Sequence, residues 1–213
     1  MEDSFQHKGL RAKLTDEIRR KGIVDERVLD AINKVPRHLF MDSGFIRFAY
    51  RDQAFPIQAG QTISQPYTVA FQTELLEVQA MHKVLEVGTG SGYQAAVLVE
   101  MGAKVFTIER QKELFLLSRS LLTSMHYRLQ FFYGDGYQGL PTYGPFDRIL
   151  ITAAAPAIPS KLLEQLKVGG RLVVPLGGPG SQVMTLVEKT GEQEYRKSDH
   201  GSFVFVPMLS GKE

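Results

Sequence analysis

The chain has 213 residues, of which 43% are hydrophobic and 23% charged, with a formal net charge of +2. That length suits one α/β domain with an appendage, and the near-even charge gives no electrostatic case for nucleic-acid binding. Cysteine is absent, which excludes disulfides, thiolate metal ligands and a cysteine nucleophile, and the five histidines form no H-x-x-x-H pair, so no metal site is expected.

The first residues, MEDSFQHKGLRAK, lack the apolar stretch of a signal peptide, and no segment approaches a membrane span. A cytoplasmic protein without membrane association is expected. Leu10, Leu14 and Ile18 fall one helical turn apart, with Gly22 as a stop. Asp25 reads as the N-cap of a second helix whose apolar stripe is Val28, Leu29, Ile32 and Val35 and which ends at Pro36. Basic residues from Lys8 to Arg37 interleave with acidic ones and read as a solvated face. From Phe40 to Gly60 the pattern is irregular, a loop length more often functional than idle.

Gln61 to Tyr67 leads into a helical run over Thr68–Val78, with Pro66 suited to the first turn and Ser64 or Gln65 to the cap. Ser64 is either a simple N-cap or, together with the free N–H groups of that helix start, a cradle for a carboxylate. The two roles are compatible.

Lys83 to Arg110 reads as strand, glycine turn, helix, strand: one right-handed βαβ unit with a ligand turn at the carboxyl end of its first strand. A dinucleotide fingerprint wants Gly or Ala at the sixth position from Gly88, where this chain has bulky Tyr93. Instead Glu86 precedes Gly88, Gly90 and Gly92, and an acid there repels phosphates while suiting a cation or an amino group. Glu109, 21 residues after Gly88, is placed to accept hydrogen bonds from both hydroxyls of a ribose. A ligand with a ribose, a positively charged amino-acid tail and no phosphate is S-adenosylmethionine.

Lys112 to Tyr127 is amphipathic, with Leu114, Leu117, Leu121 and Leu122 inward, and Leu129–Tyr133 reads as a strand. In Gly134-Asp135-Gly136 the acid can reach an adenine amino group, or simply make a turn. Phe146–Thr152 is a buried strand followed by Ala153-Ala154-Ala155-Pro156, small residues that leave room for ligand and substrate; Asp147, at the far end, reads as structural. Then come a helix over Ile158–Leu166, a Gly169-Gly170 turn, strands over Arg171–Leu176 and Gln182–Glu188, a polar excursion over Thr190–Asp199 and a last strand over Ser202–Leu209. The sum is an α/β fold: a mostly parallel sheet with helices on both faces, antiparallel strands at one edge and an N-terminal helical extension.

Those residues together resemble the protein-L-isoaspartate O-methyltransferases of the bacterial type, from about Leu10 to Leu209. The most specific piece is Gly60-Gln61-Thr62-Ile63-Ser64-Gln65-Pro66-Tyr67, which resembles that family's substrate-side signature. The glycine turn Leu85–Tyr93, Gly134-Asp135-Gly136 and Val168–Leu176 match too but are shared more widely, and Phe205-Val206-Pro207-Met208 resembles the closing strand. The resemblance implies a Rossmann-like S-adenosylmethionine-dependent methyltransferase fold in a single domain, with residues 1–79 as the substrate-side extension and 80–213 as the donor-binding core. It implies Ser64 as the catalytic residue, and Glu86, Gly88, Thr89, Gly90, Ser91, Gly92, Glu109, Arg110, Asp135 and Gly136 as the donor site. Thr62, Ile63, Ser64 and Val206 would meet the substrate.

The implied reaction methylates the α-carboxyl of L-isoaspartyl residues, and more weakly D-aspartyl, in damaged peptides and proteins, starting repair through a succinimide and releasing S-adenosylhomocysteine. A monomer without nucleic-acid partners is expected. One departure is Val204, where bacterial members often have arginine. Other methyltransferases share the donor core but have no reason to carry Thr62–Tyr67. A nicotinamide enzyme is disfavoured by Tyr93, and a binding module that kept only the fold would be expected to have lost Ser64 or the donor acids.

Overall fold

The computed structural model describes residues 3–213. Helix α1 (Phe5–Arg20) starts earlier than the apolar spacing suggests, because Ser4 caps it: the Ser4 side chain accepts from the His7 N–H. Asp25 caps α2 (Glu26–Lys34) by accepting from the Arg27 N–H, as its position predicts. Leu14 and Ile18 are buried but Leu10 is exposed, and Arg11 takes the buried place on that helix face. The basic residues of this region are therefore not a uniformly solvated face. The Arg11 guanidinium forks onto Asp3 at 3.0 Å, and its Nε donates to the Asn33 carbonyl. Arg37 is fully buried, donates to the Gln53 carbonyl and stacks 4.8 Å from the Tyr93 ring centre, and burial lowers it to about 10.

Asp3, His7 and His38 come within ligand distance of one another. Each serves local structure: Asp3 holds Arg11, His7 Nδ1 closes the α1 cap with Ser4, and His38 Nδ1 lies 2.6 Å from the Tyr50 hydroxyl. The two imidazoles stack at 3.8 Å, so their ring-plane lone pairs do not converge on one point between them.

Two short strands, β1 (Phe55–Pro56) and β2 (Thr62–Ile63), pair antiparallel and lead into α3 (Pro66–Leu76). The central sheet follows: β3 (Lys83–Val87), β4 (Lys104–Glu109), β5 (Gln130–Tyr133), β6 (Phe146–Ile151), β7 (Leu166–Leu176), β8 (Gln182–Lys189) and β9 (Tyr195–Phe203). Its spatial order is β5-β4-β3-β6-β7-β8-β9, parallel from β5 to β7 and antiparallel beyond. Helices α4 (Tyr93–Glu100) and α5 (Lys112–Ser124) are the first two crossovers, and α6 (Ser160–Glu164) precedes β7. Strand order reverses at β3, whose carboxyl end is thus a topological switch point.

The parallel strands are apolar on both faces because helices cover both, as their continuous Val, Ile and Leu content requires. One buried cluster runs from Leu14 and Ile32 of the extension through Val84 and Val97 to Met184, and a second on the other face joins Leu85, Ile108, Ile149 and Leu172. Asp147 is structural as expected, accepting from the Lys83 N–H at 2.7 Å and pairing with Lys167 at 2.6 Å. Leu117 is exposed, since α5 buries the stripe Leu114, Ser118 and Leu122 instead.

The last strand is shifted. Thr190 and Glu194 close a tight turn at Gly191, so pairing with β8 begins at Tyr195 within the expected polar excursion and ends at Phe203. The apolar Val204–Leu209 segment leaves the sheet but stays tied to it: the Phe205 N–H donates to Gln182 Oε1 of β8 at 2.8 Å, and the Ala154 N–H and carbonyl bond to Val206 and Met208. Its apolar side chains line a cavity there.

Candidate active site

The cavity opens at the carboxyl end of β3, where the backbone must turn sharply to leave the sheet for α4. Gly88 and Gly90 take φ of +98° and +53°, conformations that side chains disfavour. A Cβ on Gly88 would also lie 2.5 Å from Thr152 Oγ1, which donates to the Gly88 carbonyl at 2.6 Å. The turn is held from β4 as well, because the Gly90 N–H donates to Glu109 Oε2 at 2.9 Å and the Gln111 N–H to Glu109 Oε1 at 2.9 Å. With one lone pair of each oxygen engaged, the Glu109 carboxylate keeps acceptor capacity for further donors.

Thr62, Ile63, Ser64, Gly88, Thr89, Gly90, Ser91, Glu109, Arg110, Gly136 and Val206 all line this cavity. The structure thus brings together residues from the extension, the glycine turn and the closing segment. Gly92 caps α4 at φ +88°, with its would-be Cβ against Leu122 and not facing the cavity. Asp135 stands beside the wall, and one of its oxygens accepts the Tyr137 N–H at 2.9 Å, so it also makes the turn. Arg110 contributes to the wall while its guanidinium is held by Glu213 at 2.9 Å.

Glu86 differs from its sequence-level role. It is fully buried and does not line the cavity, because its side chain leaves β3 sideways toward Thr107 on β4, 2.6 Å away. It contributes nothing to the cavity wall.

Ser64 is not the helix cap. That position is Gln65, and the Tyr67 N–H of the first turn donates to Asp52 Oδ1 at 2.7 Å. Pro66 has no N–H, so the helix start offers a substrate fewer free amides than its sequence suggests. Asp52 is an anchoring residue that sequence reasoning missed. Its nearly buried carboxylate also accepts from Gln65 Nε2 at 2.9 Å and pairs with Lys21 at 2.5 Å, fixing the segment that follows Ser64. Thr152 and Gln94 were missed too; both line the cavity, and Gln94 Oε1 is buried without a hydrogen-bond partner. Thr152 sits at the end of a predicted strand, where a ligand position could have been suspected.

A second, wider groove of about 780 Å³ adjoins the first. The two share Thr62, Ser64, Thr152 and Val206, and the groove continues along Tyr67, Phe71 and Phe203.

The family model for protein-L-isoaspartate(D-aspartate) O-methyltransferases matches residues 10–213. The chain belongs to that family. It is 56% identical over 213 residues to a protein-L-isoaspartate O-methyltransferase of Flavobacterium johnsoniae, covering all of both chains. It is 58% identical to one of Cytophaga hutchinsonii, covering all of this chain and 96% of that one. Among solved structures, a protein-L-isoaspartate O-methyltransferase superposes with a TM-score of 0.85 at 26% identity over 92% of this chain and 65% of its own. A Plasmodium falciparum protein assigned the same activity, solved with S-adenosyl-L-homocysteine, shares the fold at a TM-score of 0.81 and 23% identity, over 93% of this chain and 98% of that one.

The protein is thus an S-adenosylmethionine-dependent methyltransferase acting on isoaspartyl groups of proteins. The cavity fits that donor. A Cβ on Gly136 would lie 2.5 Å from Val87 Cγ1, so the wall is stripped to backbone on this side as it is at Gly88, and the acid expected to serve a ribose lines the same cavity. No helix of the described residues is long and apolar enough to cross a membrane.

Proposed function

We propose that donor and damaged peptide meet at Ser64, in a site divided between the two adjoining cavities. The inner cavity takes S-adenosylmethionine: Glu109 accepts from the ribose hydroxyls, Asp135 and Gly136 flank the adenine, and the Gly88–Gly92 turn lets the amino-acid tail approach the backbone. The outer groove takes the peptide, with Thr62, Ile63, Ser64 and Val206 facing the isoaspartyl residue. The observation that carries this reading is that Ser64, Thr62, Thr152 and Val206 belong to both walls. A group held there touches both ligands.

The substrate α-carboxyl, with an ordinary pKa near ~4, is already ionised at neutral pH, so no general base is needed. When bound, the donor supplies a methyl group activated by its sulfonium charge. What remains for the chain is orientation: reacting atoms held about 3 Å apart and in line, which lowers a barrier by several kcal/mol, on the order of 5. The Ser64 hydroxyl donates to one carboxylate oxygen while the other faces the methyl. Asp52 keeps Ser64 in place by bonding to Gln65 and Tyr67 beyond it. The methyl ester formed then closes to a succinimide without further help from the enzyme, the nitrogen of the following peptide bond displacing methanol, and hydrolysis of the succinimide returns some normal aspartate. D-aspartyl residues are a weaker substrate on this reading, and the enzyme works as a cytoplasmic monomer without nucleic-acid partners.

The test is a pair of peptides differing only at one residue, isoaspartyl or aspartyl, offered with labelled donor. Labelling confined to the isoaspartyl peptide is expected. Equal labelling of both would reject the assignment of the outer groove.

A further inference from the structure

Of the two acids of the donor turn, Glu109 faces the cavity and Glu86 does not, yet a chain of short hydrogen bonds connects Glu86 to its wall. Glu86 and Thr107 are paired across β3 and β4, so their side chains share one face of the sheet. Glu86 Oε2 lies 2.6 Å from Thr107 Oγ1, which lies 2.5 Å from Thr89 Oγ1, and Thr89 is part of the wall. Glu86 Oε1 is buried with no hydrogen-bond partner.

A carboxylate in that position would be uncompensated. Burial, and then the like charge of Glu109 at the end of β4, push Glu86 up to about 8, with the Thr107 hydrogen bond opposing the shift. A neutral carboxyl has one O–H to place, and a buried donor without an acceptor is costly. Oε1 meets no acceptor, so the proton belongs on Oε2, from which Glu86 donates to Thr107. Thr107 then donates to Thr89, and the Thr89 proton is free for an acceptor in the cavity. An ionised Glu86 would reverse the chain: Thr107 would donate to Glu86 and Thr89 to Thr107, leaving Thr89 no proton to offer a ligand.

We propose that Glu86 is a positioning residue for the methyl donor, acting through Thr107 to make the Thr89 hydroxyl a hydrogen-bond donor toward an oxygen of the bound nucleoside. This rests on the reading that the inner cavity is the donor site. Glu86 never touches the ligand; it sets the polarity of the residue beside it.

The experiment is calorimetric titration of the full chain with S-adenosylhomocysteine at pH 7, with thermal melting as a check of folding. Glu86→Gln keeps an N–H toward Thr107 and is expected to bind within about twofold of wild type. Glu86→Ala and the nearly isosteric Thr107→Val are each expected to weaken binding about 5- to 10-fold. The double variant should be no weaker than either alone, since both break one chain. In turnover the loss should appear in KM for the donor, with kcat little changed. Repeated at pH 9, wild type should bind more weakly relative to Glu86→Gln, whose neutral amide does not titrate; the nucleoside's own amino group titrates nearby but equally in all variants.

A folded Thr107→Val that binds like wild type, a Glu86→Gln as weak as Glu86→Ala, or superimposed pH curves for wild type and Glu86→Gln would overturn the proposal. Should Glu86→Ala fail to fold, the Thr107→Val and Glu86→Gln arms still decide. Wild-type protein that does not bind the nucleoside at all would instead overturn the donor-site reading beneath it.

Discussion

The inner and outer walls of the site are built in opposite ways. On the proposed donor side the chain removes side chains and fixes backbone: Gly88 and Gly136 stand where a Cβ would meet Thr152 or Val87, and Glu109 bonds two main-chain N–H groups. On the proposed peptide side it supplies side chains, from the short β2 strand and the start of α3 over Thr62 to Tyr67 and from the irregular segment Val204 to Leu209, and ties the first of these down with the single carboxylate of Asp52. A backbone cradle recognises a ligand that never changes. A wall of side chains on tethered segments suits an acceptor whose flanking residues vary from one damaged protein to the next.

That contrast predicts that donor-wall changes act on cofactor binding and peptide-wall changes on turnover. The largest effect is expected at Gly88→Ala, where positive φ and the contact with Thr152 combine; S-adenosylhomocysteine affinity should fall roughly 100-fold or more, about 3 kcal/mol. Asp52→Ala frees the Tyr67 N–H and the Gln65 amide, so kcat/KM for an isoaspartyl peptide should fall about 30-fold with donor affinity within about twofold. Ser64→Ala removes one hydrogen-bond donor to the carboxylate and should lower kcat about 10-fold, again sparing the donor. If nucleoside affinity fell with it, the two walls would not be separable in this way. Asp135→Ala should cost about fivefold in donor affinity, since part of that carboxylate is already spent on the Tyr137 N–H.

The smallest change in contacts is Glu86→Gln, read in stability against pH. The folded-state Glu86 is raised to about 8 from an ordinary 4.5, so its favourable contribution is complete below pH 4.5 and is lost as pH rises through about 8. Over that interval wild type should lose stability relative to the Gln variant by about 1.4 kcal/mol per pH unit, flattening above pH 8. Parallel denaturation curves across pH would show that Glu86 is ionised in the folded protein.

The donor side was legible in the sequence because its determinants are local. Glycines at fixed offsets, a strand before them and an acid at the end of the next strand report their own geometry, and each falls in or beside the cavity. The exception, Glu86, shows the limit: spacing places an acid near a turn but does not say which way its side chain leaves the strand, and pairing with Thr107 decided that. The peptide side was legible only in part. Thr62 to Ser64 do reach the site, but Asp52 lies in an irregular loop with no pattern to single it out, and its role depends on contacts 13 and 15 residues away. The last strand was displaced because apolar character at Phe205–Met208 signals burial without saying whether in a sheet or against a cavity. Arg11 and Arg37 were hidden for a related reason, since a charge in an interleaved run reads as solvated until the acceptors that bury it are known.

The central claim is that one carboxylate, seated at Ser64, faces the methyl of a nucleoside gripped by the Gly88–Gly92 turn and Glu109. A crystal structure of the chain with S-adenosylhomocysteine and an isoaspartyl peptide tests it directly. The isoaspartyl α-carboxylate is expected within about 3 Å of Ser64 Oγ, with its second oxygen in line with the nucleoside sulfur. A carboxylate bound elsewhere in the outer groove, or a nucleoside lying outside the Glu109 cavity, would contradict it.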